Sequence, residues 1–169
     1  MLVSRGAALA ALVFIALPAS ALELSSPDVA QGVALSRAQL YRDCGGADVS
    51  PALAWRDAPW ATRSFAVTLF DPDAEGGWWH WIVYDIPADV HAFGRGAGGT
   101  RSGRNDFGRS GYGGACPPVG SGVHHYRFTV WALPVAAVPP EIAATGRTFG
   151  PWLDSHAIGR ASLTAVYRR

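Results

Sequence analysis

Asp71, Asp73 and His80 lie close together in DPDAEGGWWHWIVYDIP, and His124 and Tyr126 follow the glycine- and proline-rich run GYGGACPPVGSGV. Carboxylate, imidazole and phenol can build a metal site, an acid–base pair or an anion pocket, and spacing discriminates among the three. Asp71, Asp73, Glu75 and Gly76 match the first, third, fifth and sixth positions of a calcium loop. The twelfth position, which needs a bidentate glutamate, is Ile82, and strand-like rather than helical sequence flanks the loop. A zinc site from Asp71, His80 and a distant histidine is supported by ligand type alone. Neither GxSxG nor HExxH occurs, which leaves a metal-dependent or serine hydrolase built on the same histidines as the alternative reading. Gripping a small oxyanion asks for less: imidazole and phenol donate hydrogen bonds, and a carboxylate fixes the tautomer of its neighbour. The expectation is therefore a non-catalytic binding protein without a cofactor, using His80, His124 and Tyr126 with Asp71 as orienter. For a lone histidine, local capping of a strand would be explanation enough.

The elements that must position these groups read as strands. In RSFAVTLF, Phe65, Val67 and Leu69 alternate with Ser64, Ala66 and Thr68, which predicts a strand with one heavily apolar face. WHWIVYDI (79–86) and HYRFTVWAL (125–133) are rich in aromatic and β-branched residues and predict two more. ASLTAVYRR, from Ala161 on, predicts a closing strand, and PWLDSHAIGR before it a short helix with Pro151 near its start. Along the strand at His125, period 2 puts His124, Tyr126, Phe128 and Val130 on one face. Between Gly94 and Gly122 glycine is dense and apolar periodicity absent, which predicts a long loop. The fold class is thus mostly β with a minor helical part.

Arg5, the apolar run Ala7 to Leu17, Pro18 and the small residues Ala19-Ser20-Ala21 predict a signal peptide over 1–21, leaving one domain over 22–169 and a periplasmic or secreted protein. An apolar run of about a dozen residues is short of the ~20 that span a bilayer, and no later segment could cross one. The net charge of +1 supplies no overall field for nucleic acid. The arginines of GGTRSGRNDFGRSGYGG resemble an arginine–glycine tract, but acidic residues elsewhere balance them and export removes that partner. Two cysteines, Cys44 and Cys116, in an exported chain invite a disulfide, although spacing alone does not say whether they are close enough.

DPDA with HWIVYDIP, followed by CPPVGSGVHHYRFTVWAL, resembles the phosphatidylethanolamine-binding protein family in its bacterial branch of Raf kinase inhibitor-like proteins. DCGGADVSPALAW (43–55) and SHAIGRASLTAVY (155–167) resemble that family's opening and closing motifs, so the likeness spans about Cys44 to Tyr167. The resemblance implies a β-sandwich-like fold of two antiparallel sheets with a short C-terminal helix and an anion pocket at one end. Carried over by position, Asp71, Pro72, Asp73, His80, Pro117, Pro118, His124 and Tyr126 would line it. It also implies a phosphate or phosphoethanolamine-like head group as ligand, with a kinase or protease as a conceivable protein target, and no catalytic cycle to carry over. Three positions depart from the family pattern. Glu75 replaces the proline of DPDAP, Ala115 the first proline of GPCPP, and His125 a common arginine. Without proline a cis bond costs about 3 kcal/mol, so the 71–76 turn is expected to be either trans and reshaped or strained. Glu75 would weaken binding of a dianion.

Overall fold

The computed structural model describes residues 21–98 and 101–169. The expected signal peptide falls outside the described residues except for Ala21.

A five-stranded antiparallel sheet forms the centre of the domain. Its members are β3 (Ser64–Asp71), β4 (Trp78–Pro87), β6 (Arg101–Ser102), β7 (His124–Leu133) and β8 (Gly159–Tyr167), in the order β6-β4-β3-β7-β8. A smaller antiparallel sheet is built from β1 (Glu23–Ser25), β2 (Leu53–Arg56) and β5 (Ala92–Phe93), in the order β1-β2-β5. It packs on one face of the large sheet. Phe65, Val67 and Leu69 of β3, Trp81 and Val83 of β4, and Tyr126, Phe128 and Val130 of β7 meet Leu53 and Trp55 there. On the opposite face lie the one-turn helix α1 (Pro140–Ala143) and α2 (Gly146–His156), where Ala66, Ile82, Trp131 and Leu133 pack against Phe149 and Leu153.

This second covering layer changes the character of β3. The expected single apolar face is instead a strand buried on both sides, with Ser64 to Leu69 all buried. Small Ala66 and Thr68 suffice on the helix face because Trp131 fills the space and donates its indole N–H to Thr68 Oγ1 at 2.9 Å. Strands β4, β7 and β8 fall where the sequence places them, within a residue or two at each end. The helix does not: α2 begins at Gly146, five residues before Pro151, so the proline sits inside it. Gly146 and Gly150 let this helix lie directly on the Trp79 ring, where an added Cβ would overlap the indole. The described residues between Gly94 and Gly122 form a loop apart from β6, as expected. Much of it is packed, with Asn105, Tyr112, Gly113 and Ala115 buried.

The disulfide Cys44–Cys116 is formed, with the Cα atoms 5.6 Å apart. It ties the end of the long loop to the second of two 3₁₀ turns, Arg42–Cys44, which follows Arg37–Gln39.

Candidate functional site

Three strand ends converge on one cavity. β3 contributes Asp71 at its last position, β4 contributes His80, and β7 contributes His124 and Tyr126 from its start. Because β3 runs antiparallel to both neighbours, its C-terminal end lies beside their N-terminal ends. The turn 72–77 and the stretch 107–121 close the sides. The resulting cavity is about 600 Å³, and its lining includes Asp71, Asp73, Glu75, Trp78, His80 and Phe107. Cys116, Pro117, Pro118, Ser121, His124 and Tyr126 line it as well.

His80 reaches the cavity through an irregularity in the sheet. Leu69 pairs with Trp81 and Phe70 with Trp79, so His80 is the extra residue of a β-bulge. Such a bulge re-aims a side chain that strict alternation would direct elsewhere. The long loop then locks it. His80 Nδ1–H donates to the Gly113 carbonyl at 2.9 Å, Gly113 N–H donates back to the His80 carbonyl at 2.9 Å, and Asn105 Nδ2 reaches that same carbonyl at 3.3 Å. The imidazole stands edge-on between Phe107 and Tyr126, with centroids at 5.5 and 5.3 Å. Burial holds its pKa below the ordinary histidine value, opposed in part by the Gly113 carbonyl. His80 is therefore neutral at pH 7, its Nδ1 proton is committed to Gly113, and its Nε2 is left as an acceptor.

His124 is fixed by Asp71. The Asp71 carboxylate accepts His124 Nδ1–H on Oδ2 at 2.7 Å and the Asp73 backbone N–H on Oδ1 at 2.9 Å. Both side chains of the pair are buried, so the contact is not screened by water. On the far side of the ring, His124 Nε2 lies 2.9 Å from Ser121 Oγ. A second, more exposed pair runs alongside: Asp73 accepts both the backbone N–H and the Nδ1–H of His125, at 2.7 and 2.8 Å. Burial alone would raise the Asp73 pKa, but these two hydrogen bonds outweigh it and hold the carboxyl below its usual range.

Tyr126 forms the floor. Burial first, and then the Asp71 and Asp73 carboxylates, push its pKa far up, so the phenol is a neutral donor. Among the described residues its hydroxyl has no hydrogen-bond partner, although it is not a sealed, unsatisfied atom. It is therefore available to a guest in the cavity.

The sequence-predicted residues are thus brought together with one exception. Asp71, Asp73, His80, Pro117, Pro118, His124 and Tyr126 line the cavity, whereas Pro72 is exposed in the turn and does not. All peptide bonds of the described residues are trans, those of the 71–76 turn included, and Gly76 and Gly77 are at positive φ. Sequence reasoning missed Trp78, Phe107 and Ser121. Trp78 lies inside the quoted motif and could have been found there, but Phe107 comes from a loop without periodicity. Among the described residues no group of three His, Cys, Asp or Glu side chains is disposed to hold a metal ion. Nor is any described helix long and apolar enough to cross a membrane.

Residues 25–168 match the family model described as phosphatidylethanolamine-binding protein, and the chain belongs to that family. It is 41% identical over 162 residues to UPF0098 protein YbcL of Escherichia coli, covering 88% of each chain. A crystal structure of YbcL, titled as a new member of the mammalian PEBP family, superposes with a TM-score of 0.82 at 39% identity, covering 89% of this chain and 99% of that one. LppC of Mycobacterium tuberculosis, provisionally named a lipoprotein, is 39% identical over 152 residues, covering 88% of this chain and 73% of its own length.

Proposed function

We propose that the cavity binds a phosphate-bearing head group with an attached amine, of the phosphoethanolamine type, and that the protein does so after export from the cytoplasm. One observation carries this reading: a free phenol donor on Tyr126 shares the cavity with Asp71, Asp73 and Glu75, while among the described residues neither arginine nor lysine lines it. Tyr126 can donate to a phosphate oxygen. His80 Nε2 cannot, because its lone pair asks for a hydrogen-bond donor from the guest. A bare phosphate dianion would meet three carboxylates without a compensating guanidinium. A zwitterion satisfies both halves, placing its phosphate on Tyr126 and its ammonium towards Glu75, Asp73 and the faces of Trp78 and Phe107, where aromatic quadrupoles attract a cation.

Titration of the purified protein with phosphoethanolamine and, separately, with inorganic phosphate tests this, using the imidazole NMR signals of His80 and His124 as readout. Saturable shifts with phosphoethanolamine at concentrations where phosphate has little effect are expected. Tighter binding of phosphate, or an equal response when Tyr126 is replaced by phenylalanine, overturns it.

A further inference from the structure

We propose that Ser121, His124 and Asp71 form a nucleophilic relay able to cleave a small carboxylic ester that is uncharged or cationic. This goes beyond head-group binding and does not depend on it, although the two share a cavity.

The geometry has the three contacts that such chemistry requires. A carboxylate with two accepted hydrogen bonds, Asp71, holds His124 by Nδ1 at 2.7 Å. This fixes the tautomer in which Nε2 carries the lone pair whenever the ring is neutral. Nε2 then faces Ser121 Oγ at 2.9 Å, within the range at which a base takes a hydroxyl proton. The single serine proton has two acceptors in reach, the Pro118 carbonyl at 2.8 Å and His124 Nε2 at 2.9 Å, and the relay uses the rotamer that turns it to Nε2. The orienting pair is buried, whereas Ser121 is exposed at the cavity wall, where a substrate can reach it. Tyr126 adds a neutral O–H directed to the same cavity and free of protein partners among the described residues, suited to an oxygen that gains negative charge. The acidic lining from Asp73 and Glu75 disfavours an anionic ester, which sets the substrate class.

The reaction balances with water as co-reactant. Ser121 Oγ forms a bond to the ester carbonyl carbon as its proton passes to His124 Nε2. The carbon–alkoxy bond then breaks, and the departing alkoxide takes that proton from Nε2 and leaves as an alcohol. Water next attacks the acyl group on Ser121, giving one proton to Nε2. Collapse releases the carboxylic acid and returns the proton to Ser121 Oγ. Asp71 stays ionised throughout and stabilises the imidazolium.

The relay was hidden in the sequence because no GxSxG elbow announces it. Ser121 lies in a glycine-flanked turn three residues before His124. The test treats full-length mature protein with diisopropyl fluorophosphate and locates the adduct by peptide mass spectrometry, alongside p-nitrophenyl acetate hydrolysis by wild type, Ser121→Ala and Asp71→Asn. Because Ser121 is exposed, its replacement leaves the fold intact. The expected result is an adduct on Ser121, hydrolysis at least about 10²-fold slower in Ser121→Ala, and weaker labelling in Asp71→Asn. No adduct, an adduct on another residue, or equal hydrolysis by wild type and Ser121→Ala overturns the proposal. Head-group binding in the NMR titration would survive any of these results.

Discussion

Replacing Asp71 by asparagine tests how the site is held. The carboxylate accepts two hydrogen bonds in a buried layer, from Asp73 N–H and from His124 Nδ1–H. Asparagine keeps the shape but offers only one carbonyl oxygen, so its NH₂ must face one of these two donors. The backbone N–H of Asp73 cannot change its character; the imidazole can. His124 is therefore expected to switch tautomer, with Nδ1 accepting from the new amide and Nε2–H donating to Ser121 Oγ. A charge-assisted hydrogen bond contributing about 1.5–3 kcal/mol is exchanged for a neutral one contributing roughly 0.5–1.5 kcal/mol, a net loss on the order of 1–2 kcal/mol. The side chains of the pair are only 5% and 3% exposed, so solvent screening does not reduce this figure. For a chain of this length the melting temperature should fall by roughly 2–8 °C. Urea unfolding at pH 7 gives the energy, and two-dimensional nitrogen–proton spectra of the imidazole identify the tautomer. Retention of the Nδ1–H form together with a loss below about 0.5 kcal/mol, the scatter of ordinary surface substitutions, would refute the assignment of Asp71 as orienter.

Other outcomes follow from the same contacts. Because Cys44 and Cys116 are 72 residues apart, replacing both by serine should cost about 4 kcal/mol in the chain-entropy view; thermal unfolding checks it, and a change below about 1 kcal/mol would show that the unfolded chain is not measurably constrained. Burial lowers the His80 pKa in the folded state, so below about pH 6.5 the unfolded chain takes up a proton that folded His80 refuses. Stability should then fall on acidification with a limiting slope of about 1.4 kcal/mol per pH unit, and His80→Asn should lack that component when denaturation is compared at pH 7.5 and 5.5. Tyr126→Phe removes the donor proposed for a phosphate oxygen and should weaken phosphoethanolamine binding by about 1.5–3 kcal/mol, roughly ten- to a hundredfold in Kd, measured by calorimetry.

Long alternating segments made most of the architecture readable. RSFAVTLF could be assigned from its period of 2, and WHWIVYDI and HYRFTVWAL from their aromatic and β-branched residues; His124 and Tyr126 share a face as period 2 requires. Short elements escaped: β1, β5 and β6 are two or three residues long, too short for any period to show. The second covering layer was also hidden, since Ala66 and Thr68 look like solvent-facing positions unless α2 is known to pack there. Pro151 pointed to a helix start, but the helix begins five residues earlier at Gly146, with Pro151 inside it. At the site, residue types were legible and aim was not. Strict alternation gives no hint that His80 occupies a bulge, and the partnership of Ser121 with His124 depends on a turn whose shape only the folded backbone defines.

The pocket's groups come from segments far apart in the chain: Asp71 meets His124 across 53 positions, and His80 meets Gly113 across 33. A chain with only one hairpin complete would own each ingredient and none of the recognition. Nonlocal β pairing is slow, on the order of milliseconds to seconds, so competence to take up a guest should emerge last during maturation. A fluorescent head-group analogue would then serve as a clock for the final step of assembly, silent on collapsed intermediates and lit only when the central strand has both neighbours.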